Sequence, residues 1–170
     1  KIIINHENVI PLAKAADFFN IRKLFSLAEN YLMNSYLNKL AISCFEFSKT
    51  YSLEKLRVHS LNRIAVEYWN NKEELDVTKF DPEEFEIIVK RWGGYTDKER
   101  CEVFCDYIIT WITYDEGNRK SIFPKLLSLL RLKRCSTNFL KSKILDNIWI
   151  KESLNQNCNC QILMEALIRD

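Results

Sequence analysis

The side chains best suited to catalysis or metal binding in this chain are its cysteines and histidines. They are Cys44, Cys101, Cys105, Cys135, Cys158, Cys160, His6 and His59. Cys101 and Cys105 lie four residues apart on a predicted helix, and one residue separates Cys158 from Cys160 near the C-terminus. Neither spacing matches the paired ligands of a structural zinc site. We therefore expect reduced, mostly buried thiols and neither a metal nor another cofactor.

The sequence carries no motif for a catalytic centre. His59 falls inside a helical pattern with no partner close by, so nothing local supports a Cys–His nucleophile pair. The chain also lacks a glycine-rich phosphate loop and the G-x-S-x-G pattern of serine hydrolases. We therefore expect that the protein is not an enzyme.

The composition is typical of a folded globular chain. It has 170 residues, of which 47% are hydrophobic and 28% charged, and its formal net charge is +2. This apolar content excludes wholesale disorder, and the small net charge argues against bulk electrostatic capture of nucleic acid. No apolar run is long enough to cross a bilayer, and the first residues do not resemble a signal peptide. The absence of a starting Met predicts a piece of a longer chain.

Apolar residues recur at helical spacing along most of the chain. The first two predicted helices carry Val9, Leu12, Ala13 and Ala16, and Leu24, Leu27, Ala28, Tyr31 and Leu32. Only residues 2–4 favour a strand. We therefore expect an all-α fold of about nine helices stacked as antiparallel pairs, with at most one short N-terminal strand.

Capping residues predict where the helices begin and end. The strongest start is Asp81, followed by Pro82 at the first helical position and Glu84 three residues after the cap, with Phe80 and Phe85 as a hydrophobic staple. Gly93 and Gly94 are expected to end that helix. The other predicted N-caps are Asn8, Ser52, Thr96 (in a capping box with Glu99) and Ser136.

Two stretches resemble known domains. Residues 2–19, IIINHENVIPLAKAADFF, resemble the end of a BTB (POZ) domain, where a short strand leads into ENV-x-x-L-x-x-AADF. Residues 101–131 resemble the BACK domain that follows BTB in Kelch-like proteins. The residues that match are Val103-Phe104, Trp111-Ile112, Asp115, Arg119, Pro124, Leu126-Leu127 and Arg131-Leu132, and residues 160–166 resemble the end of that domain.

The resemblance implies three parts and a function. Residues 1–36 would be the C-terminal part of a BTB domain, 37–70 the helix pair called the 3-box, and 71–170 the rest of the BACK domain. The chain would be a non-catalytic docking segment of a Kelch-like substrate adaptor for a cullin-3 RING E3 ubiquitin ligase, in the cytoplasm or the nucleus. Its implied partners are the cullin-3 N-terminal region, a second copy through a BTB half that is missing upstream, and a substrate held by Kelch repeats that are missing downstream. No membrane or nucleic acid is implied. An actin-associated Kelch-type structural protein and a BTB transcriptional regulator stay open as alternatives.

The resemblance also implies an apolar groove for the cullin between the 3-box pair and the two helices before it. The residues assigned to this groove are Tyr36, Leu37, Leu40, Phe45, Phe47, Tyr51 and Leu53. Tyr36 and Phe47 lie off the main apolar stripe, so they are expected to be the more exposed contacts. The others fit an ordinary core, with no groove left open, at least as well.

Charge is unevenly distributed along the chain. Residues 119–143 carry eight basic side chains and no acidic one, whereas residues 72–90 carry seven acidic and three basic side chains. Aromatic residues are sparse in the basic segment, which argues against nucleic-acid binding. We expect the two segments to attract each other, within one chain or between copies.

Overall fold

The computed structural model describes residues 3–34, 40–71 and 76–146. These parts of the chain are a succession of helices joined by short turns, and no strand occurs among them. The all-α prediction is therefore confirmed. Of the predicted N-terminal strand, Ile3 and Ile4 lie in no regular element and Ile2 is outside the described residues.

The chain divides into two compact units, Lys1–Glu67 and Tyr68–Asp170. The first unit contains α1 (Val9–Phe18), α2 (Arg22–Asn34), α3 (Ala41–Thr50) and most of α4 (Glu54–Asn71). Its core is made of small and medium apolar side chains, and α1 packs against α2 as a hairpin. The buried members of this core are Val9, Ala13, Ala28, Leu32, Cys44, Phe47 and Leu56.

Both helix pairs of the first unit turn through a left-handed residue. After α1, the amide of Ile21 donates to the carbonyl of Ala16 and that of Asn20 to Asp17, at 2.7 and 2.9 Å. After α3, the amide of Leu53 donates to Ser48 and that of Ser52 to Lys49, at 2.9 and 3.4 Å. This pattern is the Schellman motif, which requires a left-handed residue just beyond the helix. Asn20 and Ser52 each have φ of 54° in that position.

The role predicted for Ser52 is therefore wrong. It was expected to cap the start of α4, but it closes the end of α3, and α4 begins later, at Glu54. Serine is a favoured N-cap, whereas it adopts the left-handed angle after a helix only at a steric cost, so residue type alone pointed to the wrong helix end.

The start of α1 also differs in detail from the prediction. Asn8 is the residue before the helix, but its side chain makes no capping hydrogen bond. Instead, the side-chain oxygen of Asn5 accepts from the amides of Glu7 and Asn8, both at 3.0 Å. The Asn8 side chain holds the chain before the helix, by accepting from the Asn5 amide and donating to the Ile3 carbonyl.

The second unit begins with short turns and is built around two longer helices. After a 3-10 turn come α5 (Pro82–Trp92) and α6 (Lys98–Tyr114), then α7 (Glu116–Arg119) and α8 (Phe123–Ser128). Two further 3-10 turns are Lys120–Ile122 and Leu132–Arg134, and the first is Val77–Lys79. A short α9 (Thr137–Phe139) continues as a π-helical turn, Leu140–Leu145.

The start of α5 is as the sequence predicts. The Asp81 carboxylate accepts from the Glu84 amide at 2.9 Å, and the Glu84 carboxylate accepts from the Asp81 amide at 3.0 Å. Pro82 occupies the first turn, and Phe80 and Phe85 on either side of the cap are both buried. Glu84 is itself buried, and its hydrogen bond to the cap is what makes a carboxylate tolerable there.

The cap of α6 is one residue later than predicted. The Asp97 carboxylate, not the Thr96 hydroxyl, accepts from the Arg100 amide at 3.0 Å. Glu99 is therefore in the first turn without closing a capping box with Thr96. Threonine and aspartate both favour this position, and the sequence alone places the boundary only to within a residue or two.

Trp111 links three segments of the second unit. Its indole N–H donates to the carbonyl of Phe80 at 2.9 Å, and its ring stacks on Phe85 with centroids 4.6 Å apart. The Arg119 guanidinium lies 4.3 Å from the Trp111 ring and donates to the carbonyls of Trp111 and Thr78, at 2.9 and 3.2 Å. Two helical turns further along the core, Trp92 of α5 stacks on Phe104 of α6 with ring centroids 4.5 Å apart.

The segment after α8 is fastened to α6 by polar contacts. The Glu102 carboxylate accepts from both the amide and the hydroxyl of Ser136 at 2.7 Å. Ser136 caps α9, as predicted, through a 3.4 Å hydrogen bond from the Phe139 amide. Further on, Lys143 lies 3.3 Å from Asp106. The apolar spacing of Leu163, Ala166 and Leu167 predicts a last helix over residues 155–168, which lies outside the described residues.

Gly93 ends α5 as predicted, but not through left-handed geometry. Its φ is −57°, which any residue adopts. A Cβ built on it would lie only 2.2 Å from the carbonyl oxygen of Leu129, just after α8. The missing side chain is therefore what allows the end of α5 to approach the backbone that follows α8.

We predict that Gly93→Ala destabilises the protein by about 2–3 kcal/mol, because backbone rather than a flexible side chain occupies the space. Gly117→Ala is the matched control, since nothing lies within 4 Å of its Cβ position and it sits in a helix. That control should be neutral or stabilising by about 0.5 kcal/mol. Urea unfolding of the three proteins measures the difference, and equal midpoints would contradict the close approach.

We predict that Ser52→Gly stabilises the protein by about 0.5–1 kcal/mol, because glycine adopts the left-handed angle without the steric cost of a Cβ. Asn20→Gly should gain less, since asparagine tolerates this conformation better than serine. Ser43→Gly on the exposed face of α3 is the control and should lose about 0.5 kcal/mol. Thermal melts followed by circular dichroism decide, and a lower Tm for Ser52→Gly would show that the turn is misassigned.

Candidate partner-binding surface

The groove residues predicted from the sequence divide into three groups. Phe45 and Phe47 are buried in α3, with 6% and 3% of their surface exposed. Leu40, Tyr51 and Leu53 are half-buried and pack against the core of the first unit. Tyr36 and Leu37 lie outside the described residues. The assignment of these residues to a cullin groove stays a prediction.

The expectation that Phe47 is an exposed contact is wrong. Helix α3 buries Ala41, Cys44, Phe45, Phe47 and Ser48, which is a wider face than the i, i+3, i+4 stripe of the sequence. The reason is an aromatic cluster that we call the ring trio, formed by Phe25, Phe47 and Tyr51. Phe47 lies 4.6 Å from Tyr51 and 6.1 Å from Phe25, and Phe25 lies 5.7 Å from Tyr51, between ring centroids.

An open cavity of about 410 Å³ lies at the corner where α1 turns into α2. It is lined by Ala16, Asp17, Asn20, Arg22, Phe25 and Ser26. The left-handed turn at Asn20 forms part of the wall, and Phe25 joins the cavity to the ring trio. A concave surface with an aromatic base and a few polar groups is the usual form of a binding pocket.

Large apolar side chains are exposed beside this cavity. Phe18 and Phe19 are 82% and 68% exposed, and their rings meet edge to face with centroids 5.0 Å apart. Ile21 and Leu27 are each about half exposed, and Ile42 on α3 is 55% exposed. We call Phe18, Phe19, Ile21 and Leu27 the apolar corner. Clusters of this kind mark surfaces that bind other proteins.

The sequence could have indicated part of this surface. Phe18 and Phe19 lie off the Val9–Ala13–Ala16 stripe of α1, so helical spacing already places them outside the core. Leu27 was expected to be buried and is not, because α2 turns Ala28 and Leu32 inward and Leu24 and Phe25 are only half-buried.

A buried polar cluster lies on α4 and faces α3. Arg63 pairs with Glu67 at 3.5 Å, and both act electrostatically on Cys44. Burial raises the pKa of the Cys44 thiol to about 11, so it is protonated at neutral pH and a poor nucleophile. Burial also raises the pKa of Glu67. These values argue against a Cys–His catalytic pair in this unit.

The cysteines of the described chain are consistent with reduced thiols. Cys44, Cys101, Cys105 and Cys135 are free, and Cys158 and Cys160 lie outside the described residues. Within the described ranges, no cluster of three or more histidine, cysteine or acidic side chains could hold a metal ion.

The acidic and basic segments meet within the second unit. Glu86 on α5 pairs with Lys125 on α8 at 2.6 Å and with Lys90 at 2.8 Å. Hydrogen bonds from Lys125 and then Lys90 lower the pKa of Glu86. The expected attraction between the two segments therefore occurs within one chain, at least through this pair.

Comparison with known families decides the wider assignment. A family model described as "BACK: BTB And C-terminal Kelch" matches residues 41–145. The chain belongs to the BACK family. The match covers α3 to the π-helical turn, so the resemblance of residues 101–131 to this family is confirmed.

Individual relatives agree with the family model. Kelch-like protein 40a of Danio rerio is 21% identical over 97% of this BACK chain, and the chain covers 27% of that protein. Kelch repeat and BTB domain-containing protein 12 of Homo sapiens is 22% identical over 85% of the chain, and the chain covers 23% of that protein. The chain thus spans about a quarter of the length of these curated relatives. None of the helices described here has the length and apolar character needed to cross a membrane.

We predict that stability falls as the pH drops below about 6.5 and that His59 contributes to this loss. Its pKa is lowered by burial and then by the Arg63 charge, so the unfolded chain takes up a proton that the folded chain resists. Its Nε2 atom is buried without a hydrogen-bond partner. Between pH 6.5 and the lower pKa that His59 has in the folded chain, each drop in pH therefore lowers the free energy of unfolding.

The measurement is the Tm at pH 7.5 and 5.5 for the natural chain, His59→Gln and His6→Gln. His59→Gln should lose less on acidification, whereas the control at exposed His6 should follow the natural chain. The raised pKa of Glu67 has the opposite effect, stabilising the fold as pH falls, but it is common to all three proteins. Identical pH profiles for all three would contradict the role of His59.

Proposed function

We propose that this BACK chain is the docking and spacing part of a Kelch-like substrate adaptor for a cullin-3 RING E3 ubiquitin ligase. The observation that carries the proposal is the BACK match over residues 41–145 together with relatives named Kelch-like that align over up to 97% of the chain. The proposal includes residues 1–36 as the end of a BTB domain and 37–70 as the 3-box.

The proposed role is non-catalytic. An adaptor makes and breaks no bond itself; it raises the effective concentration of a substrate beside a ubiquitin-loaded partner. Such a role needs apolar docking surface, and the first unit exposes it at the apolar corner and at Ile42. The inert Cys44 thiol and the absence of a metal-ligand cluster in the described ranges fit the same proposal.

We propose a cullin contact that leaves out the buried groove residues. Phe45 and Phe47 hold α3 in place and present almost no surface to a partner. The half-buried Leu40, Tyr51 and Leu53 can contribute their outer edges. Exposed Ile42 lies two residues after Leu40, at the start of α3. In the whole protein, we propose that a BTB half supplies the dimer contact and Kelch repeats supply the substrate site.

We predict that the whole protein binds the cullin-3 N-terminal domain and that Ile42→Glu weakens this binding at least tenfold. Placing a charge on a desolvated apolar contact costs more than losing the contact, and tenfold corresponds to about 1.4 kcal/mol. Isothermal titration calorimetry measures the affinity. Because Ile42 is exposed, its substitution should leave the Tm unchanged.

Tyr114→Glu is the matched control, because Tyr114 is as exposed as the corner residues but belongs to the second unit. It should bind like the natural protein. Failure of a well-folded whole protein to bind would refute the adaptor proposal, whereas equal loss for both variants would refute only the surface assigned here.

A further inference from the structure

Three cysteines meet between α6 and the turn that follows α8. Cys101 and Cys105 lie one helical turn apart on α6 and are both buried. Cys135 is half-exposed and directly follows the Leu132–Arg134 turn, which packs against α6. Its neighbour Ser136 is held to α6 by the two 2.7 Å hydrogen bonds to Glu102. The position of Cys135 is therefore fixed by the fold.

Within this cluster, Cys105 and Cys135 are direct partners. The Cys105 thiol donates a hydrogen bond to the Cys135 side chain, which keeps the proton on Cys105. The Cys101 sulfur points elsewhere, to the carbonyl of Tyr95 at 3.9 Å, and acts on the other two thiols only through space. A disulfide requires two cysteines whose side chains are neighbours, and these two thiols meet that requirement.

We infer that Cys105 and Cys135 form a redox-modification site, in which a hydroperoxide converts the hydrogen-bonded thiol pair into an intrachain disulfide. No part of the adaptor role requires this chemistry. The site reacts with a small oxidant, and the product is a covalent link between α6 and the residue that follows the Leu132–Arg134 turn.

The order of events follows from exposure. Cys105 has no exposed surface, so an oxidant in solvent does not reach it. The hydrogen bond that its thiol donates to Cys135, and then burial, raise its pKa and keep it protonated. Cys135 is the thiol that solvent reaches. Cys105 is then the resolving thiol that lies against it.

The two steps balance as follows. The Cys135 thiolate sulfur attacks the hydroperoxide; an S–O bond forms, the O–O bond breaks, and the alkoxide leaves and takes up a proton. The sulfur is oxidised by two electrons and the peroxide is reduced by two. The Cys105 sulfur then attacks the Cys135 sulfur; the S–S bond forms, the S–O bond breaks, and the departing hydroxide takes the Cys105 proton as water.

The test is to expose the 170-residue chain to hydrogen peroxide, block remaining thiols, digest with trypsin and identify linked peptides by mass spectrometry. Trypsin leaves Cys101 and Cys105 together in residues 101–119 and Cys135 in residues 135–141, while Cys158 and Cys160 fall in residues 152–169. The expected product joins the first two peptides with the loss of two hydrogens and disappears on reduction.

Variants identify the partner on α6. With Cys101→Ser the link should persist, because Cys101 takes no part in it. Cys105 is then the sole cysteine of its peptide, so a persisting link identifies Cys105 as the partner. With Cys105→Ala or Cys135→Ser it should be lost, and Cys44→Ser is the control that should leave it intact. If Cys105→Ala fails to fold, the Cys101→Ser result alone decides between the two cysteines. Loss of the link in Cys101→Ser would overturn the proposal.

Stability supplies an independent readout. Closing a loop of about 30 residues should raise the Tm of the oxidised chain by several degrees, and reduction should reverse the shift. Cys135 recovered only as sulfinic acid, as an interchain dimer or unreacted in excess peroxide would also overturn the proposal.

Discussion

A buried indole N–H requires a hydrogen-bond acceptor, and in the second unit this requirement determines how the neighbouring segments pack on α6. Trp111 meets it with the Phe80 carbonyl, at the residue just before the cap of α5. Leaving that N–H unpaired would cost about 1–3 kcal/mol. The same ring carries Phe85 on one side and the Arg119 guanidinium near its face. Arg119 in turn donates to two carbonyls, that of Trp111 eight residues earlier and that of Thr78 41 residues earlier in the chain. The Trp111 side chain thus contacts the residue before α5, the core at Phe85 and the turn after α6.

The first unit depends on a different constraint, the direction in which each helix leaves its turn. The Schellman turns at Asn20 and Ser52 set how α2 and α4 follow α1 and α3. Because α2 then presents Ala28 and Leu32 to the core, Phe25 reaches Phe47 and Tyr51, and Leu27 is left in solvent. The buried rings stabilise the unit, and the exposed ones at Phe18 and Phe19 are free to contact a partner. A surface built in this way can bury apolar area against a partner without requiring the core to open.

The sequence predicted the helices well and the surface poorly, for reasons that particular residues show. Asp81, Pro82 and Glu84 predict the start of α5 because the capping box is a local interaction of three neighbouring residues. The buried face of α6, from Cys101 to Ile112, follows from spacing alone. Ser52 was misassigned because serine is a preferred N-cap and its left-handed backbone angle cannot be read from residue type. Thr96 was misassigned because Asp97 beside it is an equally good cap. Phe47 was misjudged because periodicity describes one face of a helix, whereas Phe25 of α2 covers α3 over a wider arc, together with Tyr51 at the end of α3. Contacts of that kind exist only after folding.

The same limit explains why thiol chemistry could not be read from cysteine spacing. Cys101 and Cys105 share a helix face and look like the natural pair, yet a disulfide between two cysteines of one continuous helix would distort that helix, and the Cys101 sulfur contacts the Tyr95 carbonyl instead. Cys135 is 30 residues from Cys105, and it arrives beside that thiol because Glu102 binds the cap of α9. The burial that makes Cys44 unreactive also shields Cys105, so reactivity in the described chain is directed to the one half-exposed thiol that has a buried partner. Position in the fold, and not the number or spacing of cysteines, therefore decides which thiol can respond to an oxidant.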